Sequence, residues 1–351
     1  MNLVVRVLTE RYDELGLAAV GLPRRMDTVL LTPRFVTSRH LVALVSPRGR
    51  SRPLVVAKIP RRPGDNQGVH HEATTLRRLT ELAGAPVPGV PLLLGTVDVA
   101  GHTLLVESAV GGAPLDPPQV RLDRDRALRA GAAFVGELPV VRPADDNPDW
   151  YAAALERPLQ ALADLVPLGG ETARLCARTH ALLQPLRDAS LPAVFEHGDM
   201  SDPNLFVGPD GALQVIDWER ATESGVPGHD LVFFLQFVAE ASRAATTRPA
   251  QLAAFDDAFV GPGAWTRPVL LDHLEARGVD PELLPLLVLA TWARASATLV
   301  DRLVPDADRG GPGAAAPSAQ ALAAAVSRDR DVALWRHAVA LAEERTPRVP
   351  V

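Results

Sequence analysis

The stretch EHGDMSDPNLFVGPDGALQVIDWE, residues 196–219, constrains this chain more than any other. It opens with His197-Gly198-Asp199 and sets Asn204 five residues after the aspartate. A glycine-centred turn follows, then the apolar run LQVID ending in Asp217, 217 − 199 = 18 residues beyond Asp199. An aspartate in a turn or an asparagine at a cap is ordinary when met alone. Two carboxylates and a carboxamide in this register, with β-like pieces between them, form a more specific pattern. Asn204 and Asp217 offer the hard oxygen ligands that a magnesium ion takes.

The second constraint is a single residue. Lys58, in PLVVAKIP, is the only lysine; the other 35 of 36 basic residues are arginine. The two cations interchange on a wet surface but differ where a compact point charge must meet a phosphate. PLVVAKIP reads as a strand in which Ala57 faces away from the lysine side. The first third is β-rich around it. TVLLTPRFVTSRHLVALVS reads as two strands about a turn near Thr37 and Ser38, and PLLLGTVDV and HTLLVES as two more. NQGVHHEATTLRRLTELAGA places Val69, Ala73, Leu76, Leu79 and Leu82 at helical spacing. That helix carries Glu72 and Glu81. AVGGAPLDPP breaks the pattern near residue 110. Beyond it helices are expected over 124–138, 150–165, 172–187, 230–243, 282–303 and 319–343.

His197-Gly198-Asp199 with Asn204 resembles the H-R-D-x-x-x-x-N catalytic loop of protein kinases, and Asp217 their metal-binding aspartate. Gly198 stands in the arginine's place and Asp217-Trp218-Glu219 in that of Asp-Phe-Gly. The H-G-D-x-x-x-x-N form is that of the aminoglycoside phosphotransferase and choline kinase-like family. The chain resembles that family from about residue 25 to the helices near 300, most strongly from Phe195 to Phe234.

The resemblance implies an α+β, two-lobed, protein-kinase-like fold with a cleft between the lobes. Its divisions are an N-terminal helical extension (1–24), a small β-rich nucleotide-binding lobe (25–108) and a larger, mainly helical lobe (109–351). It implies an ATP-dependent O-phosphotransferase, with ATP or GTP as donor and Mg²⁺ bound. Asp199 is then the catalytic base, and Asn204 and Asp217 the metal ligands. Lys58 meets the nucleotide phosphates and is held by Glu72. TPRFVTSRH lacks the glycines of a kinase phosphate loop, so backbone N–H groups near Ser38, with Arg34 and Arg39 at hand, are expected to cover the phosphates. The base is expected on ESAVGG, through backbone groups around Glu107, Ser108 and Ala109. Asp230 is expected to brace the catalytic loop, with Asp202 and Glu219 further out. Only 13 residues separate Asp217 from Asp230, too few for a phosphorylated activation loop.

Composition narrows the partners. Residues 1–107 hold 14 basic and 9 acidic side chains, and residues 108–351 hold 22 and 33, which sum to the net charge of −6. This split argues against a nucleic-acid binder with one basic face. The runs LPLLVLATWA and LVFFLQFVA are too short to span a bilayer, and the charged start MNLVVRVLTERYDELGLAAV reads as an amphipathic helix. The single cysteine, Cys176, forms no internal disulfide and reads as packing, which places the chain in a reducing cytoplasm. From Glu196 to Asp301 there are 16 acidic and 6 basic residues, suiting a small hydroxylated, cationic acceptor; residues 303–318 could form a lid over it. A peptide Ser/Thr kinase is the alternative. A non-catalytic nucleotide-binding module is disfavoured, because Lys58, Asp199, Asn204 and Asp217 are all present.

Overall fold

Alternation around Lys58 builds a five-stranded antiparallel sheet in the computed structural model, which describes residues 2–31, 40–166, 170–303 and 318–345. Strands β1 (Met26–Leu31), β2 (His40–Pro47), β3 (Val55–Pro60), β4 (Leu93–Val99) and β5 (His102–Ser108) lie in the order β1-β2-β3-β5-β4. Lys58 sits on the central strand, opposite Val42 on one side and Leu105 on the other. Period-two alternation sends its neighbours Ala57 and Ile59 to the other face. There they pack with Ala43, Val45, Val106 and the N-terminal residues Val4, Val7, Leu8, Leu15, Leu17 and Leu22. Asn2 caps the first helix, α1 (Leu3–Glu10), by accepting from the Val5 N–H. The expected N-terminal extension is thus part of the sheet's own core. Helix α2 (Gln67–Ala83) covers the lysine face, with Val69 and Ala73 against Leu105 and Leu93.

By compactness the chain divides into Met1–Pro114 with Asn204–Ala221, and Leu115–Pro203 with Thr222–Val351. These limits differ from boundaries at 24 and 108. The physical reason is a hairpin, β9 (Leu205–Val207) with β10 (Leu213–Val215), that joins the first unit. It pairs with β6 (Ala113–Pro114); Val215 donates to the Gly89 carbonyl, and Gly111 donates to Gln214 Oε1 at 2.6 Å. The expected turn at Thr37 and Ser38, with Arg34 and Arg39, lies outside the described residues, as does most of 303–318.

The second unit is mainly helical. It holds α3 (Pro117–Leu122), α4 (Arg124–Glu137), α5 (Arg157–Leu165), α6 (Glu171–Leu182), α7 (Gln184–Arg187), α8 (His229–Ser242), α9 (Arg248–Phe259), α10 (Arg267–Glu275), α11 (Leu284–Ala297), α12 (Leu299–Leu303), α13 (Ala319–Arg328) and α14 (Arg330–Arg345). A small sheet orders β7 (Val140–Arg142), β8 (Ala193–Glu196) and β11 (Thr222–Gly225) as β11-β8-β7. The helix expected over 319–343 is two, because Asp329 leaves helical geometry and its Oδ1 accepts from the Asp331 and Val332 N–H groups. Helices α9 and α10 escape a search for periodicity. Each instead announces its start by proline within its first turn.

Helix α11 is apolar all round and buried, as a core helix must be. The helical stretch Pro281–Asp301, which runs through α11 into α12, reaches 21 residues, longer than its apolar run suggests, and two-thirds of its most apolar 18-residue window is buried inside the protein. Cys176 is buried beside the Leu159 carbonyl, and burial pushes its thiol up to about 11, in keeping with packing.

Candidate active site

In the first unit, Lys58 is nearly sealed from solvent, 6% exposed, within a shell of carboxylates. Its Nζ lies 2.5 Å from Glu72 Oε1, 3.4 Å from Asp217 Oδ1 and 3.8 Å from Glu107 Oε1. Glu72 is fully buried, and the same Oε1 accepts the Trp218 N–H at 2.9 Å. One carboxylate thereby fixes both the ammonium and the backbone next to Asp217. That backbone is unusual: Asp217 has φ 69°, left-handed and costly outside glycine, and such strain concentrates at working sites. The local sequence accounts for the placement. β10 carries the chain to Asp217, and the buried Trp218 anchors the following turn through Nε1–H to the Val215 carbonyl.

Burial pulls the Lys58 ammonium toward neutrality, but Glu107, Glu72 and Asp217 pull harder, and it stays charged well above its ordinary range. Burial pushes Glu72 up against the pull of Lys58. Glu107 is pushed up to about 8, by burial first and then by the charges of Glu72 and Asp217, with Lys58 opposing. Glu219, with Oε2 3.6 Å from His40 Nδ1, is pushed up to about 7 by burial and by Asp217.

Glu107 adds a third carboxylate to this cluster. Its carboxylate faces Lys58, because β5 runs beside β3 with Glu107 two residues from Leu105 on the same face. The signal was there to read: it is the sole acid in the apolar strand HTLLVES. The Ser108 and Ala109 N–H groups donate to the Leu92 and Leu54 carbonyls, both at 2.9 Å.

Asn204 is buried, and its carbonyl accepts the Ile216 N–H at 3.0 Å, which sets it one pairing step from Asp217. A carboxylate and a carboxamide are hard oxygen donors. A magnesium ion takes one or two such protein groups, keeps waters, and completes its shell with phosphate oxygens. The donor set fits that ion.

In the second unit, Asp199 sits in a loop held from behind. Asp230, near the start of α8, accepts the His197 N–H at 2.6 Å through Oδ2 and the Gly198 N–H at 2.9 Å through Oδ1. Gly198 has φ 80°, so glycine answers a backbone demand where protein kinases carry arginine. His197 Nδ1 accepts the Asp199 N–H at 3.2 Å, which places the ring proton on Nε2. Ser201 Oγ–H donates to Asp199 Oδ1 at 3.4 Å.

Sequence reasoning missed Glu196 and Arg294. They form a bidentate ion pair at 2.8 and 2.9 Å immediately before the Asp199 loop. The readable signal was Arg294, the one charge in LPLLVLATWARASA.

Known proteins agree with this architecture. The profile of the phosphotransferase enzyme family matches residues 42–260. A thermostable mutant of aminoglycoside phosphotransferase APH(4)-Ia, solved with AMP-PNP and hygromycin B, superposes with TM-score 0.53 at 13% identity, over 96% of this chain and 99% of that one. The GDP complex of an aminoglycoside 2'-phosphotransferase-IIIa mutant gives 0.51 at 18% identity, over 96% of each chain. Choline kinase LicA from Streptococcus pneumoniae gives 0.51 at 12% identity, over 95% of this chain and 99% of its own. No curated protein matches the sequence itself. With the profile spanning more than half of its length, the chain belongs to the phosphotransferase enzyme family, and is a phosphotransferase with a protein-kinase-like fold.

Proposed function

We propose that the protein is an ATP-dependent O-phosphotransferase that transfers the γ-phosphoryl group to a hydroxyl of a small molecule. The observation carrying this reading is the Lys58–Glu72–Asp217 arrangement: a lone ammonium, an anchor for it, and an oxygen ligand for a hard cation, all within 3.4 Å of one nitrogen.

Phosphoryl transfer asks a protein chiefly to position the reactants and neutralise charge. Lys58 takes phosphate oxygens of the donor, and Glu72 keeps its ammonium aimed and protonated. Asp217 and Asn204 would hold Mg²⁺, which when bound supplies positive charge to the phosphate oxygens. Asp199 orients the acceptor hydroxyl and takes its proton. A positioned base contributes roughly 10²–10⁴-fold, about 3–5 kcal/mol of barrier. Relatives of the same fold were solved with AMP-PNP and with GDP, which supports a purine nucleoside triphosphate as donor.

The acceptor is less constrained than the charge count suggests. Of the 16 acids between Glu196 and Asp301, Glu196, Asp217, Glu240, Asp256 and Asp257 pair with Arg294, Lys58, Arg330, His337 and Arg243. Asp230 is spent on backbone N–H groups. An amine-bearing alcohol remains the acceptor class we favour, on hygromycin B in one relative and the choline kinase activity of another. The single buried thiol suits a reducing, cytoplasmic setting.

The lone lysine makes the test unusually sharp. An acyl-phosphate derivative of ATP acylates an amine held beside its phosphates. We expect Lys58 to be modified, with MgATP protecting it, and radiolabel from [γ-³²P]ATP to pass to members of an amino-alcohol and aminoglycoside panel. Modification of the α-amino group alone, or no ATP-dependent protection, would refute the reading.

A further inference from the structure

We infer that Arg294 is a positioning residue for the Asp199 loop, holding two buried carboxylates, Glu196 and Asp230, in a reciprocal clasp between segments 196–198 and 225–230. The inference rests on the phosphotransferase reading of Asp199.

The clasp runs in both directions. Glu196, the last residue of β8, sends Oε2 to the Val226 N–H at 3.0 Å. Asp230, from the other segment, accepts the His197 and Gly198 N–H groups that lead into Asp199. Each segment lends a carboxylate to the other's backbone. Gly225 makes room for this: a Cβ there would come within 2.4 Å of Glu196 Cβ and 2.9 Å of its Oε2.

Two buried carboxylates so placed repel one another. Burial, and then the charge of Glu196, push Asp230 up to about 7, against the two N–H groups that favour its charged form. The compensating charge is Arg294, which reaches Glu196 from α11 with both terminal nitrogens. His229 Nε2 stands 3.7 Å from Glu196 Oε1, but burial holds that ring down to about 4, so it supplies no positive charge at neutral pH. The other guanidinium whose field reaches Asp230 is that of Arg277, which donates to the Val135 and Leu138 carbonyls. A buried ion pair adds little stability over a well-packed apolar pair. Its use here is geometric: with Arg294 in place Glu196 stays ionised, and both segments stay joined.

The test compares Arg294→Met, Arg294→Lys and the charge-free pair Glu196→Gln/Arg294→Met with wild type. The readouts are turnover of MgATP with water as acceptor, per folded molecule, and hydrogen exchange of the His197 and Gly198 amides. For Arg294→Met we expect kcat to fall about 10–100-fold, as a displaced catalytic group does. The nucleotide KM should stay within about twofold, the acid limb of the kcat–pH profile should move to higher pH, and the two amides should exchange faster. The charge-free pair should regain most of the loss. Arg294→Lys keeps the charge but not the bidentate grip. It should lose several-fold in kcat, and this decides the matter should Arg294→Met not fold. Unchanged kcat and exchange in Arg294→Lys or Arg294→Met, or a charge-free pair no better than Arg294→Met, would overturn the inference. If wild type transfers no phosphoryl group to water or to any member of the amino-alcohol and aminoglycoside panel yet the exchange shift appears, the phosphotransferase reading fails and the clasp stands.

Discussion

Each unit of this protein buries one dominant cation among carboxylates, and the two clusters are balanced differently. Around Lys58 stand Glu72, Glu107 and Asp217 within 3.8 Å, with Glu219 close by. Among the described residues, Glu72 Oε2 and Glu107 Oε2 are buried with no hydrogen-bond donor, and near the second cluster His229 Nδ1 and Arg277 Nε are buried without a partner. Around Arg294 the arithmetic closes. Glu196 receives both guanidinium nitrogens and the Val226 N–H, and Asp230 receives two more backbone N–H groups. Unpartnered buried carboxylate oxygens are costly, and folded proteins keep few of them. Every carboxylate oxygen of Glu196 and Asp230 has a donor, whereas Glu72 and Glu107 each keep one oxygen without.

The largest effect that breaks this contrast is on chemistry. Asp199→Ala should lower transfer about 10²–10⁴-fold, since it removes a positioned base. Nucleotide affinity, read as the shift in Tm on adding MgADP, should stay near wild type. Parallel loss of both would show that the loop serves binding instead.

Next in size is the stability of the Lys58 cluster. Lys58→Met leaves Glu72 and Glu107 buried without their ammonium, and breaking a buried pair on one side costs about 3–5 kcal/mol. Chemical denaturation at pH 7 should register it. The deficit should shrink below about pH 5, where the unfolded chain's carboxylates take up the protons that the buried, uncompensated ones already hold. A variant as stable as wild type at pH 7 would mean that Lys58 does not hold these carboxylates.

The two clusters also differ in how legible they are in sequence. The first could be read almost whole. Lys58 is unique in composition, and Asn204 and Asp217 stand at fixed spacing from Asp199, because the hairpin between them is short and its length is set by pairing. Glu72 follows from the family resemblance, which places a glutamate for the lysine on the helix after its strand. Glu107 did not, because sequence assigns a strand its faces only relative to a neighbour, and the β3–β5 register that turns Glu107 toward Lys58 joins residues about 50 positions apart. The second cluster was half visible. Asp230 falls within the motif block, whereas Glu196 and Arg294 are separated by 98 positions, and only packing decides that they meet. The helices around them, α9 and α10, lacked clear periodicity because tertiary burial shapes them more than an apolar stripe does.

The finest distinction between the clusters is the sign of their response to pH, and it separates them without any substrate. Glu107 is pushed up to about 8 in the folded protein, from an ordinary carboxylate value near 4.5. The folded state then binds the proton more tightly than the unfolded chain, so its contribution to stability is full below about pH 4.5 and drains away as pH rises toward 8. Glu107→Gln cannot ionise and escapes that loss. Its Tm relative to wild type should climb between pH 5 and pH 8.5, by a few degrees for a change on the order of 1 kcal/mol. Glu196 behaves oppositely. Burial alone would raise it, but Arg294 holds it below its ordinary value. Its contribution is present above about pH 4.5 and lost in acid, so Glu196→Gln should be destabilising at pH 7 and nearly neutral near pH 3. Thermal melts of the two glutamine variants across this range should therefore slope in opposite directions. Parallel slopes would mean that both carboxylates are equally compensated, and that the excess of negative charge around Lys58 is not a property of the folded protein.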